Sequence, residues 1–127
     1  MLEISNKQLA VFSRNSSLDF ENRMVAHLRM DFAEHCEHME ELDLRELIRY
    51  GIQRAAAHEL TWEYEVCLYL HLMLVLGRNF DQDPIYEWIG KLLNGREGSA
   101  SDRVEAIYDR VMGQDESDER LGGTLLP

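Results

Sequence analysis

From Val66 to Leu76 the chain is apolar at every position but one, and the exception is His71. A run this long without period-two alternation predicts a helix buried on nearly all its faces. Thr61 suits the N-cap of that helix, Glu63 and Glu65 suit the positive end of its dipole, and Gly77 is placed to end it. The run is too short to span a bilayer. The other elements must therefore wrap around it, which predicts an all-α fold: a compact bundle of five to six helices around a central apolar helix at about 61–76.

The rest of the sequence supplies the surrounding helices. A short first helix is expected from Ser5 to about Arg14, with Gln8 as capping-box partner of Ser5. A second is expected from about Asp19 to Met39. Met24, Val25, Leu28, Phe32, Cys36 and Met39 form its apolar stripe, with Glu21, Arg23, Met30, Glu34 and Glu37 opposite. A third opens at Asp43 and buries Leu44, Leu47, Ile48, Ile52, Ala55 and Ala56. Gly51 in its middle costs helix stability and implies close approach of another helix. Asp83-Pro84 starts a fifth helix with proline at its first position, burying Ile85, Trp88, Ile89, Leu92 and Leu93. Ser101 or Asp102 caps a sixth that ends near Gly113. Strand signals are lacking. Residues 1–113 read as one helical domain and 114–127 as a flexible, acidic and then glycine-rich tail.

Charge narrows the function. Against 24 acidic residues stand 13 basic ones, a net charge of −11. That field opposes nucleic acid and anionic membranes and favours solubility or a basic protein partner. The segment Met1-Leu2-Glu3-Ile4-Ser5 lacks the basic and apolar regions of a signal peptide, so a cytoplasmic location is expected. Cys36 and Cys67 sit in apolar helical patterns, where a thiol acts as a small hydrophobe. Neither disulfide spacing nor zinc-knuckle spacing is present.

No hydrolase elbow, phosphate-binding glycine loop or His-Glu-x-x-His occurs, so an enzyme is not expected, and no cofactor is called for. His27, Asp31, His35 and His38 share one side of the second helix, a pattern a transition metal can use. One straight helix does not converge four ligands without help from a second, however. The ordinary role is a half-buried His35 bonded to Asp31 between solvated neighbours. His71 needs a partner in its apolar surroundings. Structural bonding to a carboxylate or carbonyl competes there with haem ligation or a role as a base.

Two further features suggest docking. Glu34, Glu37, Glu40, Glu41 and Asp43 crowd a helix junction, either as a solvated face or as a patch for a basic partner. In the loop from Gly77 to Pro84, Asp81 and Asp83 can set the turn into the next helix. Phe80 either folds under that loop or anchors a partner. The acidic junction, Phe80, Asp81 and Asp83 are the expected contact residues.

One stretch has a broader likeness. Ile48-Arg49-Tyr50-Gly51-Ile52-Gln53-Arg54-Ala55, Leu60-Thr61-Trp62-Glu63-Tyr64-Glu65-Val66, Leu72-Met73, Gly77, Phe80-Asp81-Gln82-Asp83-Pro84 and Trp88 together resemble a family of small uncharacterised bacterial helical proteins. Members of that family are often encoded beside type VI secretion effectors and their spike components. The likeness covers the middle third of the chain, and its motifs pack helices and shape loops. It implies a cytosolic accessory protein of an effector cluster: an adaptor, a chaperone or an immunity protein. The partner so implied is a basic effector or secretion component. A metal- or haem-binding helical protein and a self-associating homo-oligomer are the alternatives.

Overall fold

The computed structural model describes residues 14–113. The expected Ser5 helix and the 114–127 tail lie outside them. Among the described residues the fold is all-α, with six α-helices and no strand: α1 (Arg14–Asp31), α2 (Ala33–Cys36), α3 (Glu41–Ala57), α4 (Glu63–Leu76), α5 (Glu87–Leu93) and α6 (Ala100–Tyr108). Two 3-10 turns, Phe80–Gln82 and Pro84–Tyr86, join α4 to α5, and a π-helical turn, Asp109–Gly113, follows α6.

The apolar run forms the centre, as its sequence requires. Ten of the eleven α4 positions from Glu63 to Met73 are buried, Tyr64 being the exception, and the helix packs against α3, α6 and α1. Gly51 of α3 is where the close approach occurs. A Cβ there would lie 2.3 Å from Leu70 Cδ2 and 2.8 Å from Met73 Sδ. Only a bare backbone lets the two helices come this near. Gly77 ends α4 with φ +124°, donating its N–H to the Met73 carbonyl. Left-handed backbone of this kind favours glycine.

Several expected boundaries move. The second helix does not run unbroken to Met39, because Phe32 leaves helical geometry at φ −127°, ψ 44°. One turn, α2, then restarts, and Arg29 donates to the Cys36 carbonyl at 2.8 Å to close it. The break lets the Phe32 ring lie 4.4 Å from the His71 ring. The stripe hid it because Phe32 and Cys36 keep i, i+4 spacing across the interruption. Thr61 does not cap α4. Trp62 holds the N-cap position, and the Glu65 carboxylate reaches back to accept from the Thr61 and Trp62 N–H groups. Helix α6 starts earlier than expected, capped by Ser99 in a reciprocal box with Asp102.

Pro84–Tyr86 is 3-10 rather than α, so its residues turn by a larger angle per step. That phase shift leaves Ile85 78% exposed; Leu92, within α5 itself, is exposed as well, at the edge of the face that buries Ile89 and Leu93. Ala56 of α3 is exposed as well. Glu21, expected on the solvent side, is buried, with Arg45 donating at 2.6 Å and Arg49 at 2.8 and 3.0 Å. Glu63 is also buried, clasped by both Nη atoms of Arg23 at 2.9 and 2.5 Å. These charge-assisted pairs tie α1 to α3 and to α4.

Candidate functional site

Three polar regions stand out, and α4 organises two of them. On one side of it, Tyr69 faces the loop that follows the helix. Asp81, whose side chain is wholly buried, accepts from Arg54 at 2.5 and 3.2 Å, from His58 at 2.9 Å and from Tyr69 at 3.0 Å, all on Oδ2. Burial pushes the Asp81 carboxyl upward, but the bonds from His58, Arg54 and Tyr69 together hold it below the usual carboxylate range. Burial raises the Tyr69 phenol, and the Asp81 charge raises it further. The cluster is a charge-balanced brace between α3, α4 and the loop. Phe80 beside it is 1% exposed, with its ring 4.9 Å from that of Tyr69.

Phe80 and Asp81 thus lie inside the molecule, which removes both from the docking surface expected of them. The buried ring gains more contact with the core than a polar loop could offer, and the carboxylate is consumed by Arg54. Asp83 is partly exposed and accepts from the Ile85 N–H at 3.0 Å, shaping the turn.

On the opposite side of α4, Cys67 and His71 meet His27 of α1. His27 Nε2 is 2.7 Å from His71 Nε2, and Cys67 Sγ is 3.5 Å from the same atom. The three donor atoms all lie within 4.8 Å of one another. The second nitrogen of each ring also meets a polar group. His71 Nδ1 is 2.9 Å from the Tyr108 hydroxyl of α6. His27 Nδ1 is 3.2 Å from Asp31 Oδ2, though not aligned with it as a hydrogen bond, and has no other partner among the described residues.

Burial lowers the His71 pKa to about 3, with a further push from His27, and burial lowers that of His27 against the pull of Asp31. Burial pushes the Cys67 thiol up to about 12, helped by the charges of Asp31 and Glu63, and the Tyr108 phenol likewise to about 12. The cluster is therefore a set of neutral donors: two imidazoles and a thiol, the ligand types of a soft or borderline cation. The His71 ring is flanked by Phe32 and His27, and its Nε2 faces His27.

The structure does not bring the four residues His27, Asp31, His35 and His38 together. The break at Phe32 turns α2 away, and His35 and His38 are exposed. His27, not His35, is the one that is largely buried, its side chain 11% exposed. Sequence reasoning passed over Cys67 and Tyr108. Cys67 precedes His71 by four residues, the spacing that places two ligands on one helix face, and that was the available signal.

The third region is the junction of α2 and α3. Glu34, Glu37, Glu40, Glu41 and Asp43 are all exposed around it, as is Leu42 at 78%. Glu41 pairs with Arg45 at 2.9 Å and Glu37 lies 3.7 Å from His38, while Glu34, Glu40 and Asp43 have no cationic partner among the described residues. Arg49, Arg23, Arg54 and Arg78 are engaged elsewhere, on Glu21, Glu63, Asp81 and Glu46.

Concavities on the described surface include one of about 340 Å³ beside His58, Arg96 and Arg103 and one of about 440 Å³ beside Asp83 and Lys91. Neither is lined by His27, Cys67 or His71. No described helix is long and apolar enough to cross a membrane. No known protein family, no curated protein and no solved structure matches this chain.

Proposed function

We propose that the protein is a non-catalytic binding module that recognises a basic polypeptide through the acidic junction of α2 and α3. The observation that carries this is the division of charge. Arg23, Arg45, Arg49 and Arg54 pair with the buried Glu63, Glu21 and Asp81, leaving Glu34, Glu37, Glu40 and Asp43, with Glu41 beside Arg45, on the surface around an exposed Leu42. A net charge of −11 thereby becomes a directed field, which speeds encounter with a cationic partner, while Leu42 supplies an apolar contact. Self-association through the same face is opposed by like-charge repulsion.

The likeness of the Ile48–Trp88 segment supports a narrower role: a cytosolic adaptor, chaperone or immunity protein of a bacterial secretion or effector cluster. The test is capture of the partner from the native host, followed by association kinetics against ionic strength. The association rate should fall steeply with salt, and replacing Glu34, Glu37, Glu40 and Asp43 by Gln should lower it at least about tenfold at low salt. A rate indifferent to both would overturn the electrostatic reading.

A further inference from the structure

We propose that His27, Cys67 and His71 form a binding site for a single thiophilic d-block cation of the zinc(II) type, held between α1 and α4. The donors come from two helices. Cys67 and His71, one turn apart on α4, present Sγ and Nε2 to the same point, and His27 of α1 brings its Nε2 to meet them.

In a tetrahedral zinc site, bonds of about 2.0–2.1 Å to nitrogen and about 2.3 Å to sulfur place neighbouring donors roughly 3.3–3.6 Å apart. The Cys67–His71 separation of 3.5 Å already fits. The His27–His71 separation of 2.7 Å must open by roughly 0.6 Å, as a shared proton gives way to two coordinate bonds.

The outer groups favour the same reading. A ligating imidazole is oriented by a carboxylate, carbonyl or hydroxyl on its other nitrogen. Tyr108 stands at His71 Nδ1, and Asp31 stands at the buried, otherwise unpartnered Nδ1 of His27. With both Nε2 atoms on the metal, each ring carries its proton on Nδ1, facing these two oxygens. The charges also balance: no cationic side chain lies in the cluster, and a divalent ion would meet one thiolate and the adjacent Asp31 carboxylate.

Binding breaks the Cys67 S–H bond, forms a sulfur–metal bond and releases one proton to water. The imidazole pair changes tautomer without net loss. Three protein donors leave one coordination position for water.

The test uses the full chain, purified without a histidine tag and stripped by a chelator. Cobalt(II) titration should give one equivalent bound, with tetrahedral visible bands and a thiolate-to-cobalt charge-transfer band, and zinc(II) should displace it. Cys67→Ser should remove the charge-transfer band. His27→Gln should weaken zinc by about 100-fold or more, and Asp31→Asn by about 10–100-fold. The double variant His35→Ala/His38→Ala should bind as the wild type does. Circular dichroism checks each fold, and if Cys67→Ser does not fold, His27→Gln decides. Absence of stoichiometric uptake of either metal by the wild type would sink the proposal. So would uptake indifferent to His27→Gln, or uptake abolished by the His35/His38 double variant.

Discussion

The two faces of α4 carry buried polar clusters of similar make-up, each with a histidine and a tyrosine, yet their chemistry diverges. The Asp81 cluster contains its own cation and anion. Arg54, His58 and Tyr69 saturate Oδ2, and the charges cancel in place. The His27 cluster contains neither a cationic side chain nor a carboxylate among its three converging atoms, only lone-pair donors gathered at one point. A buried cluster that balances itself serves the fold. One that gathers neutral donors and leaves charge unsupplied serves as a receptor for a cation. The difference turns on one residue type, since an arginine at the second cluster would have filled it.

The comparison can be broken first by mutation. Asp81→Asn removes the anion and strands Arg54 and its neighbours, so urea unfolding should show a loss of about 3–5 kcal/mol. His27→Gln in metal-free protein removes one neutral bond and should cost only about 1 kcal/mol. Equal losses at the two sites would erase the distinction drawn between them.

Zinc supplies the next largest effect. At free metal about 100-fold above Kd, unfolding should become harder by about 2.7 kcal/mol, in the wild type and in Asp81→Asn alike but not in Cys67→Ser. Calorimetry or chemical denaturation reads this directly.

Gly51→Ala sharpens the comparison, because it acts on the brace side alone. Helix propensity favours alanine, but the new methyl would press on Leu70 Cδ2 and Met73 Sδ, both buried, and these side chains must shift to admit it. A net destabilisation of about 1–3 kcal/mol is expected, with zinc affinity unchanged.

Acid should produce the smallest effect. Arg49 foremost, then Arg45, holds the Glu21 carboxyl low against its burial, and the Asp81 carboxyl is also held low. In both cases the unfolded chain binds protons first. Their stabilisation is therefore complete above the ordinary carboxylate pKa of about 4 and is lost as pH falls through and below it. The urea midpoint should drop over that window, and less so in Asp81→Asn.

Much of the fold was legible because it follows from local rules. The apolar run could only be a buried helix, Gly51 could only mark a close approach, and Gly77 could only end α4. The site was not legible in the same way. His27 was grouped with His35 and His38 by spacing along one assumed helix. The non-helical Phe32 separated them, and no proline or glycine announced it. Glu21 looked solvated because its cations, Arg45 and Arg49, lie on a different helix.

The sequence alone determined that this chain is helical, which helix lies at the centre and where backbones must touch, since each depends on residues within a few positions of one another. Only tertiary structure decided which polar groups meet. His27 and His71 are 44 residues apart, and Arg54 finds Asp81 across a loop. Such pairs depend on how helices are rotated and docked, which side-chain periodicity within a single helix does not encode.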